Sequence, residues 1–220
     1  MHVGRFVVVA LFVAATSAAH AEMFNFEATA STSTATGHPG AFTSLVELSG
    51  SLSATFTRQG GGAFDVIDST GFPAFSQFFP ASFGVHSLDP FTDPGTASAF
   101  LVNFSAPITS ASLSFGDFGG DNDTMTLNAY SGLNGTGALL ASSVDAYGVQ
   151  SFPLFDTIAV KADGIQSLVF IGGGSSFPNS LYYDNLSVST PEPGSLALLL
   201  GIGVAATGLR RRSKKAPKPA

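Results

Sequence analysis

The sequence predicts an all-β protein, an antiparallel sandwich of two sheets, over residues 22–190. Three observations lead to this fold class. Apolar and polar residues alternate over short segments of this region, as they do in half-buried strands. Turn-forming glycine, asparagine and aspartate residues separate the segments at intervals of roughly ten residues, a spacing typical of sandwiches. No long helical period of 3.6 residues is present, so we expect phenylalanine side chains to fill the space between two sheets.

The first 21 residues have the composition of a secretory signal peptide. Arg5 precedes an apolar stretch over residues 6–15, which predicts a short signal-peptide helix. Ala19 and Ala21 are small residues at the two positions that signal peptidase reads. We therefore expect cleavage by this peptidase before Glu22, and an exported domain over residues 22–190.

Ten segments of that domain are candidate strands. They are residues 24–29, 45–57, 63–67, 99–104, 110–115, 124–130, 139–142, 151–160, 167–171 and 181–188. The segment 72–94 is rich in phenylalanine and proline, and we expect an irregular excursion whose aromatic rings anchor it to the core.

A glycine-rich segment between two of these strands carries a group of carboxylates. Asp121 and Asp123 direct two carboxylates into one loop, and the intervening glycines let Asp117 fold back toward them. Calcium takes oxygen ligands of this kind. The segment lacks the spacing and the terminal glutamate of an EF-hand, and a hairpin turn lined with solvated side chains explains the same residues. A calcium site and a plain turn are both open.

The two ends of the domain resemble the terminal strands of a known group of jelly-roll modules. The segments are Phe24-Asn25-Phe26-Glu27 and Tyr182-Tyr183-Asp184-Asn185-Leu186-Ser187-Val188. They look like the first and last strands of modules related to carbohydrate-binding and galactose-binding-like domains. The resemblance implies that these strands lie side by side and that one acid from each ligates a structural calcium. It points to Glu27 and Asp184, with a turn capped by Asp184 as the alternative.

The C-terminus, residues 191–215, has three parts in a fixed order. Pro191, Glu192 and Pro193 are followed by an uncharged apolar run over residues 194–209. Because proline lacks an N–H, we expect a transmembrane helix to begin near Gly194. Its sixteen residues, at roughly 1.5 Å each, fall short of the roughly 30 Å hydrocarbon core. The cationic stop that follows is Arg210, Arg211 and Arg212, which the positive-inside rule keeps in the cytoplasm.

This ending resembles the PEP-CTERM sorting signal of Gram-negative bacteria that secrete exopolysaccharide. The resemblance implies that the membrane enzyme exosortase recognises Pro191-Glu192-Pro193 and removes the helix and basic tail. It implies delivery from an inner-membrane precursor to the cell surface or extracellular matrix. An ordinary tail anchor with a chance Pro-Glu-Pro is the alternative.

The charge of residues 22–190 excludes some partners. Fourteen acidic residues against two basic ones, Arg58 and Lys161, give a net charge of about −12. Such a domain has no basic face for a nucleic acid. It would repel an acidic polysaccharide unless divalent cations bridged the two. With no cysteine in the chain, no disulfide or thiolate metal site can form.

Catalysis finds little support in the sequence. The chain has no thiol nucleophile and no Gly-x-Ser-x-Gly elbow. The two remaining histidines, His38 and His86, lie in glycine- and proline-rich surroundings without the spacing of metal ligands. We therefore expect a non-enzymatic structural component of an exopolysaccharide or biofilm matrix. A calcium-assisted glycan-binding module is the alternative, and a secreted hydrolase ranks third.

Overall fold

The all-β prediction is confirmed by a computed structural model, which describes residues 20–33, 37–68, 83–90, 95–117, 121–148 and 154–191. The described chain contains ten strands, and every pairing between them is antiparallel. They are β1 (His20–Phe24), β2 (Ser44–Ser49), β3 (Leu52–Arg58), β4 (Asp65–Asp68), β5 (His86–Asp89), β6 (Phe100–Asp117), β7 (Asp123–Tyr130), β8 (Leu139–Tyr147), β9 (Leu154–Gly173) and β10 (Tyr182–Thr190). Two short 3-10 turns, Gln59–Gly61 and Leu133–Gly135, follow β3 and β7.

Two long central strands hold this sandwich together. The main strand order is β4-β5-β10-β6-β9-β7-β8, with β1 paired to β10 and the β2–β3 hairpin paired to β6. The first part of β6 pairs with β3 and its later part with β10. The last part of β9 pairs with β7 as well as with β6. The strands therefore form one continuous hydrogen-bonded network.

The ladder between β6 and β9 is interrupted where the two strands change partners. The register shifts on both sides of Ile108, which lies opposite Ile165. Pro107 has no N–H to give to the ladder, and Gly164 has a φ of 78°. The sequence predicted a break in both strands, with residues 99–104 separate from 110–115 and residues 151–160 separate from 167–171. The structure instead continues β6 and β9 through this point.

Aromatic side chains fill the core, as predicted. The rings of Phe100 and Phe170 stack with centroids 5.4 Å apart, and Tyr183 meets Phe100 edge-on at 5.5 Å. The alternating residues Met125, Leu127 and Ala129 of β7 are fully buried in the same core. Burial of such rings is the main stabilising contribution available to a chain without disulfides.

The two terminal strands lie side by side. β1 pairs with β10 from His20 opposite Thr190 to Phe24 opposite Leu186. Ala21, one of the two predicted signal-peptidase determinants, lies in β1 opposite Ser189. The terminal strands are thus neighbours, as the resemblance to jelly-roll modules implies.

Some element boundaries differ from the predictions. The first strand ends at Phe24 instead of Thr29, because Phe26 takes a left-handed backbone conformation with φ 57°. The segment predicted as one strand over residues 45–57 is the β2–β3 hairpin, turning at Gly50 with φ 55°. β5 lies inside the segment predicted to be irregular.

Several sequence predictions lie outside the described residues. These are the signal-peptide helix, Ala19, Glu192, Pro193, the transmembrane helix over residues 194–209, and Arg210, Arg211 and Arg212. Within the described ranges, no helix has the length and apolar character needed to cross a membrane.

Candidate metal sites

The structure brings Glu27 and Asp184 together beside Gly84. Glu27 lies in the turn after β1, where its Oε1 accepts hydrogen bonds from the backbone N–H groups of Val85 (2.7 Å) and His86 (3.1 Å). A Cβ atom on Gly84 would overlap Glu27 Oε1 and stand 3.6 Å from Asp184 Oδ2. The two predicted ligands therefore approach the same point from the loop after β1 and from β10.

Asp184 is a buried carboxyl whose charge the protein does not compensate. Its side chain is 0% exposed, and neither oxygen makes a hydrogen bond of normal geometry to the described residues. Burial raises the pKa of Asp184 to about 8; the backbone N–H of Asn185 opposes this shift and the negative charge of Glu27 adds to it. Burial thus favours the protonated form of this carboxyl, whereas a cation beside it would favour the charged form.

Ser87 is a neighbour of this site that the sequence did not indicate. Tyr183 pairs with Leu88 across β10 and β5, so Ser87 lies opposite Asp184. Opposite residues of an antiparallel pair point to the same face of the sheet. Ser87 is 0% exposed, and its hydroxyl has no hydrogen-bond partner in the described part of the chain.

The second carboxylate group is formed by Asp117, Asp121 and Asp123. Asp117 ends β6, Asp123 begins β7, and Asp121 lies in the loop between them. One carboxylate oxygen from each lies within 4.8 Å of the others. Asp117 and Asp123 are buried while Asp121 is exposed, so the group opens to solvent on one side.

Burial and electrostatic repulsion both act on the carboxylates of this cluster. Burial raises the pKa of Asp123 to about 7, and the negative charges of Asp117 and Asp121 act in the same direction. Asp123 Oδ1 is buried and has no hydrogen-bond partner among the residues described. A bound divalent cation would reverse the sign of these interactions, so the three aspartates can hold a metal ion.

A third polar group, which the sequence analysis missed, joins His38 to Asp89. The two side chains meet at 2.7 Å between His38 Nδ1 and Asp89 Oδ2. Ser33 Oγ donates to the same Asp89 oxygen, also at 2.7 Å. Because the hydroxyl points to the carboxylate and not to the imidazole, this arrangement differs from a serine–histidine–aspartate relay. These contacts attach Ser33 and His38, which precede β2 in the chain, to Asp89 of β5.

The exposed face of β10, β6 and β9 carries a groove of about 390 Å³. Ser112 lies between Ala159 of β9 and Ser187 of β10, and Ser110 lies between Lys161 and Ser189. The groove is lined mainly by these small hydroxyl-bearing and aliphatic side chains, with one ammonium group. Nothing in the sequence pattern indicated it, because it depends on the order of three distant strands.

Comparisons with known proteins bear on the C-terminus most directly. No curated protein is significantly similar to this chain in sequence. Among solved structures, the fold resembles the family 11 carbohydrate-binding module from Clostridium thermocellum in complex with a β-1,3-1,4-mixed-linked tetrasaccharide. That likeness has a TM-score of 0.35 and 11% sequence identity, and covers 79% of this chain and 98% of the module. A family model described as the PEP-CTERM protein-sorting motif matches residues 189–212, so this chain carries a PEP-CTERM sorting motif that begins in the last two residues of β10.

Proposed function

We propose that this protein is an exosortase substrate that is exported to the cell surface or extracellular matrix and acts there without catalysis. The observation that carries the proposal is the junction between fold and motif. β10 ends at Thr190, and the Pro-Glu-Pro element begins at the next residue. Cleavage at that element would remove none of the ten strands, because the described unit spans His20–Pro191.

A role in an exopolysaccharide matrix is consistent with the charge of the domain. Residues 22–190 carry fourteen acidic and two basic side chains. A protein of this charge is soluble, and it associates with an acidic polymer through divalent cations that neutralise both partners. The matrix role is therefore structural and dependent on cations.

Calcium is the cation that suits the two carboxylate sites. Glu27 with Asp184, and Asp117 with Asp121 and Asp123, offer hard oxygen donors. Both sites contain a buried carboxyl with a raised pKa, Asp184 and Asp123 respectively. Calcium would supply the missing positive charge, and its tolerance of irregular geometry favours it over magnesium.

Replacement of the central residue of the motif tests the sorting proposal. Glu192→Ala should leave the full-length protein in the inner membrane, while the native protein is found outside the cell without its basic tail. Pro217→Ala changes a proline outside the motif and should leave processing intact. Mass spectrometry of the secreted protein decides the matter, and native material that still ends in Ala220 would contradict exosortase processing.

Glycan binding in the serine-lined groove is the second candidate function. Of the two basic residues in the exported domain, Arg58 is buried against backbone carbonyls, whereas Lys161 is exposed in this groove. Serine hydroxyls and an ammonium group suit a carboxylated saccharide. Binding of the secreted protein to a polyuronate should weaken in Lys161→Gln and stay unchanged in Thr157→Ala, which alters the same strand outside the groove. Equal binding by Lys161→Gln and the native protein would remove this candidate.

A further inference from the structure

The run Gly172-Gly173-Gly174 borders the aspartate cluster. β9 and β7 are neighbours, with Gly172 opposite Met125 and Gly173 opposite Thr124. Thr124 directly follows Asp123, so the end of the glycine run lies next to the first residue of β7. A loop that donates no carboxylate therefore forms one side of the cluster.

The first two glycines of the run are explained by packing. A Cβ atom on Gly172 would overlap the side chain of Leu181 in the core. A Cβ atom on Gly173 would overlap the backbone carbonyl oxygen of Phe177, and Gly173 has a φ of 152°. Folding alone therefore requires glycine at both positions.

The surroundings of Gly174 are different. A Cβ atom there would overlap Asp121 Oδ2 and lie 3.0 Å from the carbonyl oxygen of Asn122. No core side chain is among its nearest neighbours, and its φ lies outside the left-handed range. The space that a side chain at position 174 would fill is occupied by the carboxylate of Asp121.

We propose that Gly174 is a positioning residue of the cation site, since a Cβ atom at this position would overlap Asp121 Oδ2 and displace the carboxylate from its place beside Asp117 and Asp123. This inference rests on the proposed cation binding. A separate observation indicates a ligand here: Asp123 is 3% exposed, and its buried Oδ1 has no hydrogen-bond partner among the described residues. The ligand class is a hard divalent cation, which accepts three carboxylate oxygens within 4.8 Å of one another.

The test is calcium titration of the secreted protein in the Asp184→Asn background, so that only the aspartate cluster is loaded. Gly174→Ala adds one methyl group and no charge. It should weaken calcium affinity by about tenfold to a hundredfold, the usual effect of disturbing the residues that orient metal ligands. Gly95→Ala is the matched control, because a Cβ atom on Gly95 meets nothing within 4 Å. Unchanged affinity in Gly174→Ala would overturn the proposal.

Two further outcomes are informative. If the Asp184→Asn protein binds no calcium, the cation proposal for this cluster fails and the positioning role fails with it. If Gly174→Ala lowers the free energy of unfolding in the absence of calcium, the same substitution is made in the Asp121→Ala background. There the cost should be smaller, because the overlapping carboxylate is gone and only the approach to the Asn122 carbonyl oxygen remains. An undiminished cost would assign Gly174 to packing and overturn the proposal.

Discussion

Asp184 lies directly opposite Ser87 across the β5–β10 pair, and the side-chain oxygens of both residues are buried without a hydrogen-bond partner in the described chain. Buried polar atoms normally have such partners, because an unsatisfied one costs free energy. With Glu27 at the same point, the site offers oxygen atoms from three chain segments. Ser87 therefore belongs with Glu27 and Asp184 as a candidate calcium neighbour.

Calcium should stabilise the secreted protein. A ligand that binds only the folded state adds about 2.7 kcal/mol at a hundredfold excess over its dissociation constant. At constant ionic strength, millimolar calcium should raise the melting temperature by several degrees, and magnesium should raise it less. Asp184→Asn should remove the contribution of the first site and Asp121→Asn that of the second, while the exposed Asp163→Asn should change neither. A melting temperature that does not change when calcium is added would contradict both sites.

The sequence predicted the fold class and the phenylalanine-filled core because these depend on local alternation and composition. It did not predict that Ser87 lies across from Asp184, because β5 has only four residues and lies in a segment rich in phenylalanine and proline. The first strand was placed too late along the chain because the left-handed conformation of Phe26 is set by tertiary packing. Close approaches such as Gly174 to Asp121 need the order of non-sequential strands, which no local pattern contains.

The phenylalanine core should account for much of the stability. Phe100 is fully buried against Phe64, Phe170 and Tyr183. Phe100→Ala should lower the free energy of unfolding by about 3–5 kcal/mol through lost burial and the resulting cavity. Phe177→Ala, at a ring that is 52% exposed, should change it by about 0.5 kcal/mol or less. Denaturant titration compares the two, and equal effects would contradict the assigned core.

The secreted protein should not hydrolyse matrix polysaccharides. Asp65 and Asp89 lie opposite each other on β4 and β5, which at first suggests a glycosidase pair. Asp65, however, accepts hydrogen bonds from Thr32 and from the backbone of Gly40 and Ala41. These donors occupy both carboxylate oxygens and hold Asp65 in a structural role, so neither oxygen is presented to a substrate as a general acid must be. Reducing-end assays should show no release of sugar, and hydrolysis abolished by Asp65→Asn would establish catalysis.

The His38–Asp89 pair should make stability depend on pH. The hydrogen bond to Asp89 raises the pKa of His38 above its ordinary value, although burial acts against it, and the charges of Asp89 and Asp65 raise it further. The protonated histidine is thus favoured in the folded state. Its contribution is complete below the unfolded pKa of about 6.5 and is lost as the pH rises through the higher folded value.

The measurement compares native protein with His38→Asn, which keeps a polar side chain but cannot be protonated in this range. The difference in free energy of unfolding should be largest near pH 5.5 and should shrink steadily toward pH 9, by about 1.4 kcal/mol for each unit by which folding raises the pKa. His86→Asn provides the matched control, a histidine outside this pair. A difference that is constant with pH would mean that folding does not change the pKa of His38, and it would contradict a hydrogen bond to Asp89 that favours the protonated imidazole.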